Sequence, residues 1–147
     1  MPSVVRDGSG VDGQATRILA VDDHTDNLLL LQQLLNLEGY EVEVATSGEE
    51  AVAKVEAKPP DLLLLDIAMP RVDGYEVIQR IRRNCNIPFV PIIVMTAHGI
   101  SYAIEGLNLG ANSYISLPID FCELLRKVEL LLRLKQTVML SSQPGLA

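Results

Sequence analysis

The sequence predicts an α/β fold in which one parallel sheet of five strands is covered on both faces by five helices. Short apolar and β-branched runs alternate strictly with segments of helical period from about Arg17 to Thr137, the signature of repeated βαβ units. The run Leu62 to Leu65 has no polar alternation at all, as a central strand buried on both faces requires. The strands also end alike. Ile18 to Val21 runs into Asp22-Asp23, Leu62 to Leu65 into Asp66, and Ile92 to Met95 into Thr96.

In chain order, Arg17 to Val21 reads as the first strand. From Thr25 or Asp26 to Glu38 a broad leucine stripe at helical spacing predicts the first helix, and Gly39 is a natural stop. Glu41 to Ala45 alternates polar and apolar, which suits an edge strand. Thr46-Ser47-Gly48 turns into a helix from about Glu49 to Ala57, with Ala51, Val52 and Val55 inward, ended by Pro59-Pro60. Leu62 to Asp66 is the third strand. A loop carrying Met69-Pro70 and Asp73-Gly74 leads to a helix from about Tyr75 to Arg83 that faces the sheet through Val77, Ile78 and Ile81. Pro91 to Thr96 is the fourth strand. Ser101 to Leu109 reads as a weak helix, because Gly106 inside it costs about 1 kcal/mol against Ala. Ser113 to Ser116 is a brief fifth strand, stopped by Leu117-Pro118. Asp120 caps a last helix running from Phe121 to about Thr137, and its apolar pattern continues to Leu140.

A length of 147 residues, 48% of them hydrophobic, fits one domain with a real core. The expected organisation is a disordered tail over 1–16, a folded domain over 17–135, and a helical extension and tail over 136–147. The net charge of -7 argues against a nucleic-acid surface, which needs clustered Lys and Arg. Cys85 and Cys122 lack metal-binding spacing and read as ordinary reduced thiols. The first 16 residues hold no apolar core of a signal peptide, and the apolar runs are too short to span a bilayer. The expectation is a soluble cytoplasmic protein that engages neither nucleic acid nor membrane.

Open α/β sheets hold their chemistry at the carboxyl ends of their strands. If the three acid-tipped or hydroxyl-tipped strands are neighbours, Asp22, Asp23, Asp66 and Thr96 meet in one pocket. Carboxylates that close cannot all stay ionised without a cation, a raised pKa, or both. An oxygen-lined site with room for water and phosphate suits Mg²⁺. His24 and His98 flank the pocket in sequence; His24 is expected to open the first helix and His98 to line a loop.

The ordered series Val21-Asp22-Asp23, Leu65-Asp66-Ile67-Ala68-Met69-Pro70, Asp73-Gly74, Thr96-Ala97, Gly110-Ala111 and Tyr114 ahead of Leu117-Pro118-Ile119-Asp120 resembles the receiver domain of two-component response regulators. The resemblance covers about Arg17 to Leu134. It implies the flavodoxin-like strand order 2-1-3-4-5, the order already known for a chemotaxis member of that family. It further implies that Asp66 is the phosphoacceptor, that Asp22, Asp23, Asp66 and the Ala68 carbonyl hold Mg²⁺, and that Thr96 donates its hydroxyl to the phosphoryl group. Thr96 and Tyr114 would form the switch. The implied partners are a sensor histidine kinase or a histidine phosphotransfer domain. A second copy, held through the face of the fourth helix, fifth strand and fifth helix or through the helical extension, is a further expected partner. The implied role is a single-domain phosphorelay regulator of bacterial signalling, not an enzyme acting on a separate substrate, although it assists its own phosphorylation and dephosphorylation.

Two features depart from the pattern. The stretch from Thr96 to Gly110 is one residue shorter than in typical receivers, so the loop and helix after the fourth strand are expected to be set differently. One position after the fifth strand also differs in kind. Receivers carry Lys immediately before the Pro after the fifth strand, and here that residue is Leu117. An alkyl group offers neither charge nor donor. The alternative reading is therefore a pseudo-receiver that binds partners without phosphate. Haloacid-dehalogenase-like phosphatases want a D-x-D spacing where these acids are adjacent, and flavodoxins want a phosphate loop that His24-Thr25-Asp26-Asn27 does not provide.

Overall fold

The structure, a computed structural model, describes residues 15–141. The expected tail over 1–16 lies outside these except for its last two residues, as does the end of the expected C-terminal extension, residues 142–147. Five strands and five helices alternate: β1 (Arg17–Val21), α1 (Thr25–Leu37), β2 (Glu41–Ala45), α2 (Gly48–Ala57), β3 (Leu62–Asp66), α3 (Gly74–Arg83), β4 (Ile92–Thr96), α4 (Ile100–Leu109), β5 (Ser113–Ser116) and α5 (Phe121–Ser141). All four strand pairings are parallel, in the order β2-β1-β3-β4-β5. This is the predicted doubly wound sheet.

Residue alternation along the strands divides the core in two. Leu19, Val21, Leu63, Leu65 and Val94 point to the face covered by α2 and α3, where Val52, Val55, Val77 and Ile78 meet them. Ile18, Ala20, Leu62, Leu64, Ile93 and Met95 point to the other face, against Leu28, Leu31 and Leu35 of α1 and Leu124, Val128 and Leu131 of α5. β3 and β4 are buried along their whole length. The edge strand β2 keeps Glu41 and Glu43 in solvent.

Local chemistry sets the boundaries. Ser47 caps α2 by accepting the Glu50 N–H at 3.1 Å, and Asp73 caps α3 by accepting the Glu76 N–H at 3.0 Å. Asp120 accepts the Glu123 N–H at 3.2 Å and opens α5. Gly106, unfavourable to α4 by helix propensity, has a packing reason. A Cβ there would lie 3.3 Å from a Val94 methyl, so the glycine lets α4 sit close on β4. α5 is longer than the expected end near Thr137 and continues to Ser141. It is fastened near its end by Lys135, whose ammonium lies 2.6 Å from Asp61 Oδ1 just ahead of β3.

Candidate functional site

The order β2-β1-β3-β4-β5 makes β1, β3 and β4 neighbours, so the ends of the three acid-tipped or hydroxyl-tipped strands lie side by side. Asp22 follows β1 and is buried at 2% exposure; Asp66 closes β3 at 7%; Thr96 closes β4 at 4%. These are the buried polar residues among the described ones. In-register pairing of Val21 with Leu65 and of Asp66 with Met95 fixes their relative height. Ligand atoms of Asp22, Asp23, His24 and Asp66 all lie within 4.8 Å of one another.

Asp22 Oδ1 accepts the His24 backbone N–H at 2.9 Å, and Asp22 Oδ2 accepts the Asn27 side-chain amide at 3.2 Å. Asp66 Oδ1 accepts the Ala68 N–H at 3.1 Å, and Thr96 Oγ1 accepts the His98 N–H at 3.0 Å. The loop after Asp66 is held by Gly74, whose N–H donates to the Ile67 carbonyl at 3.0 Å. A Cβ at Gly74 would lie 2.6 Å from Ile67 Cα and 2.7 Å from the Asp66 carbonyl oxygen, so only glycine allows this approach.

Burial, opposed by the Ala68 N–H and reinforced by the charges of Asp22 and Asp23, pushes the Asp66 carboxyl up to about 7. His24 is raised above its ordinary value by its hydrogen bond to Asp22, then by the charges of Asp23 and Asp22. Its Nδ1 stands 3.2 Å from both Asp22 Oδ1 and Asp23 Oδ1. The contact to Asp23 lacks hydrogen-bond geometry, leaving Asp23 Oδ1 buried without a hydrogen-bond partner. No Lys or Arg is ion-paired to these acids among the described residues. A hard divalent cation fits this donor set: converging carboxylates, one orphaned oxygen, and no resident cation beyond His24.

The sequence predicts His24 only as the opening of α1. It does precede the helix, yet makes no side-chain cap, and its ring turns to the acid pair. Asn27, one helical turn on, joins the site with no sequence motif of its own to mark it. The adjacency of Asp22-Asp23-His24 is the available signal. Leu117 follows β5, its N–H donating to the Thr96 carbonyl at 2.8 Å, and its side chain packs on the core face shared with α1 and α5. The Leu117-Pro118 peptide is cis. Tyr114 is half-buried; the Lys127 ammonium lies 4.7 Å from its ring centroid and also donates to the Tyr114 carbonyl. His98 is exposed and stacks at a tilt on Tyr102, with centroids 5.5 Å apart.

The fold and the acid cluster at its carboxyl edge define a class, and comparison with known proteins gives the family. Residues 18–129 match the response regulator receiver domain, and the chain belongs to that family. It is 42% identical over 118 residues to the response regulator MprA of Mycobacterium leprae, covering 80% of this chain and 51% of that protein. It is 38% identical over 128 residues to the alkaline phosphatase synthesis transcriptional regulatory protein PhoP of Bacillus subtilis, covering 86% and 52%. The chain thus spans about half the length of these relatives. Among solved structures, a response regulator of Chloroflexus aurantiacus superimposes with a TM-score of 0.77 at 37% identity, covering 80% of this chain and 98% of that one. A CheY-like receiver domain protein of Methanospirillum hungatei gives 0.75 at 34% identity, covering 83% and 97%. No helix of the described residues is long and apolar enough to cross a membrane.

Proposed function

We propose that this receiver accepts a phosphoryl group on Asp66 from a phosphohistidine of a sensor kinase or phosphotransfer domain, and signals by protein contact in the cytoplasm. The single observation that supports it is the buried Asp66 carboxylate at the end of β3, within 4.8 Å of the Asp22-Asp23 pair. Asp66 supplies the oxygen that attacks phosphorus as the donor's P–N bond breaks, and the imidazole leaves with a proton. Asp22, Asp23, Asp66 and the Ala68 carbonyl would hold Mg²⁺, which when bound neutralises the charge gathered on acids and phosphoryl oxygens. The Ala68 N–H orients Asp66. Thr96 holds a hydroxyl at the adjoining strand end and would turn it from the His98 N–H toward a phosphoryl oxygen.

Departure of Thr96 from that contact is the local event that would bias Tyr114 and the face of α4, β5 and α5, a modification switch of the general kind. That face exposes Ile100, Tyr102 and Ile104, and α5 exposes Leu130, Leu134 and Leu140. A second copy would cover part of this apolar surface. Light scattering behind size exclusion tests it, since a monomer at every concentration, with and without phosphate, removes the homodimer. The chain would catalyse no separate turnover beyond gain and loss of its own phosphate.

The alternative, a module that binds partners without phosphate, is favoured by one observation. Leu117 gives the site no cationic side chain from the β5–α5 loop. Incubation with Mg²⁺ and acetyl phosphate or phosphoramidate, followed by intact-mass measurement, separates the readings. Addition of one phosphoryl group to wild type and none to Asp66→Asn is the expected result; no addition to either favours the alternative.

A further inference from the structure

Two tracks leave the acid site and meet at Tyr102 in the first turn of α4. One starts from Asp66. The backbone of Gly74 packs on that of Asp66 and Ile67, and the next residue, Tyr75, donates its hydroxyl across to the Tyr102 carbonyl at 2.9 Å. The other starts from Thr96, whose Oγ1 accepts the His98 N–H at 3.0 Å; the His98 ring then leans on the Tyr102 ring, with centroids 5.5 Å apart. Tyr75 is half-buried and packs on the core under α3, which anchors its ring. Burial, then the charges of Glu105 and Asp73, keep its hydroxyl protonated and so a donor. A carbonyl has two acceptor sites, so Tyr102 takes this bond beside the helix's own. Little else holds the first turn of α4. Gly99, ahead of the helix, supplies no side-chain cap, and Ile100, Tyr102 and Ile104 are exposed.

We propose that the Tyr75 hydroxyl is a tether that holds α4 in its resting place and opposes the switch. This role rests on the phosphoacceptor reading of Asp66. When Thr96 turns its hydroxyl toward a phosphoryl oxygen, the His98 N–H loses its acceptor and the loop joining β4 to α4 is released at that end. Tyr102 cannot follow that loop while its carbonyl stays bonded to α3. The displaced form therefore gives up one hydrogen bond, which lowers its population about fivefold. Tyr75 acts through α4 and is a positioning residue.

The test compares the full chain with Tyr75→Phe, which removes the hydroxyl and keeps the ring. Amide hydrogen exchange is measured on both, and both are titrated calorimetrically with fluoroberyllate, an analogue of the phosphoryl group, in the presence of Mg²⁺. Without the analogue, amides of residues 104–107, whose helix bonds run back to the first turn, should exchange about fivefold faster in the variant, with β2 unchanged. The variant should bind fluoroberyllate about fivefold more tightly than wild type. A bond that only braced the fold would leave that affinity equal or weaken it. Tyr102→Phe, which keeps the accepting carbonyl and the ring, should match wild type in both measurements. Equal exchange at 104–107 overturns the tether. Faster exchange with equal or weaker fluoroberyllate affinity overturns its part in the switch. A Tyr102→Phe protein that behaves like Tyr75→Phe overturns the bond to the carbonyl as the cause. No fluoroberyllate binding by wild type overturns the phosphoacceptor reading itself, and the opposition to the switch with it.

Discussion

Asp66→Asn is expected to stabilise the metal-free protein by an amount that grows with pH. Burial first, then the charges of Asp22 and Asp23, raise the Asp66 carboxyl to about 7 against 3.8 for a free side chain. Between those values the folded protein holds a proton that the unfolded chain has released, so folding stability falls as pH rises through the window. Each tenfold gain in proton affinity on folding corresponds to about 1.4 kcal/mol, which sets a ceiling of about 4 kcal/mol on the loss above pH 7. Asp66 is 7% exposed as a whole residue, but its carboxyl sits at the strand end only half enclosed, so solvent screens part of this and the loss falls below that ceiling. An amide at position 66 cannot ionise and keeps an oxygen for the Ala68 N–H. Urea unfolding of both proteins in EDTA, from about pH 4 to about pH 8, measures the difference directly. The curves should nearly coincide at the acid end and separate by a few kcal/mol at the basic end. A constant difference across the range, or a less stable Asn variant at the basic end, would refute the claim that the three acids meet without a compensating cation.

Mg²⁺ should bind more tightly as pH rises through about 7, where Asp66 loses its proton, and further as His24, raised above its ordinary value, gives up the charge it places between Asp22 and Asp23. Calorimetric titration at two pH values checks this, and a pH-independent affinity would count against the acid cluster as the metal site. Gly74→Ala should cost about 1–3 kcal/mol, because its Cβ meets backbone atoms of Asp66 and Ile67 that cannot yield separately. Chemical denaturation reads the cost, and slower labelling of Asp66 by acetyl phosphate reads displacement of the loop. Asp73→Ala removes only the cap of α3, about 1 kcal/mol, and should leave labelling nearly unchanged. The pair therefore separates loop geometry from helix stability.

Most of the fold is legible in the sequence because each element is bounded by punctuation that acts locally. Ser47, Asp73 and Asp120 cap helices through their own side chains, and Gly39, Pro59-Pro60 and Pro118 interrupt the elements around them. The end of α5 lies beyond the predicted one because Val138 to Leu140 extend the apolar pattern without any stop residue. Asp22, Asp23, Asp66 and Thr96 are legible as a group since each follows or closes an apolar run. Side-chain direction off the strands is what no sequence pattern carries. The turn of the His24 ring toward two acids and the reach of Asn27 to Asp22 depend on how α1 leaves β1. The bond from the Tyr75 hydroxyl to the Tyr102 carbonyl depends on how α3 and α4 lie side by side, which no local pattern encodes.

The four consecutive leucines of β3 carry no information about which of them belongs to which face, since both faces are hydrocarbon. What pins the strand against slippage is the pair of acids at its ends. Asp61 is held at one end by the Arg17 N–H at 2.8 Å and by Lys135, and Asp66 stands at the other beside the acid pair. Sliding by a single residue in either direction would drag a carboxylate into the oily interior. The proposed phosphoacceptor thus doubles as a registration mark for the centre of the sheet. A leucine at position 66 would erase that mark along with the chemistry proposed for it, whereas asparagine would remove that chemistry and leave the strand in step.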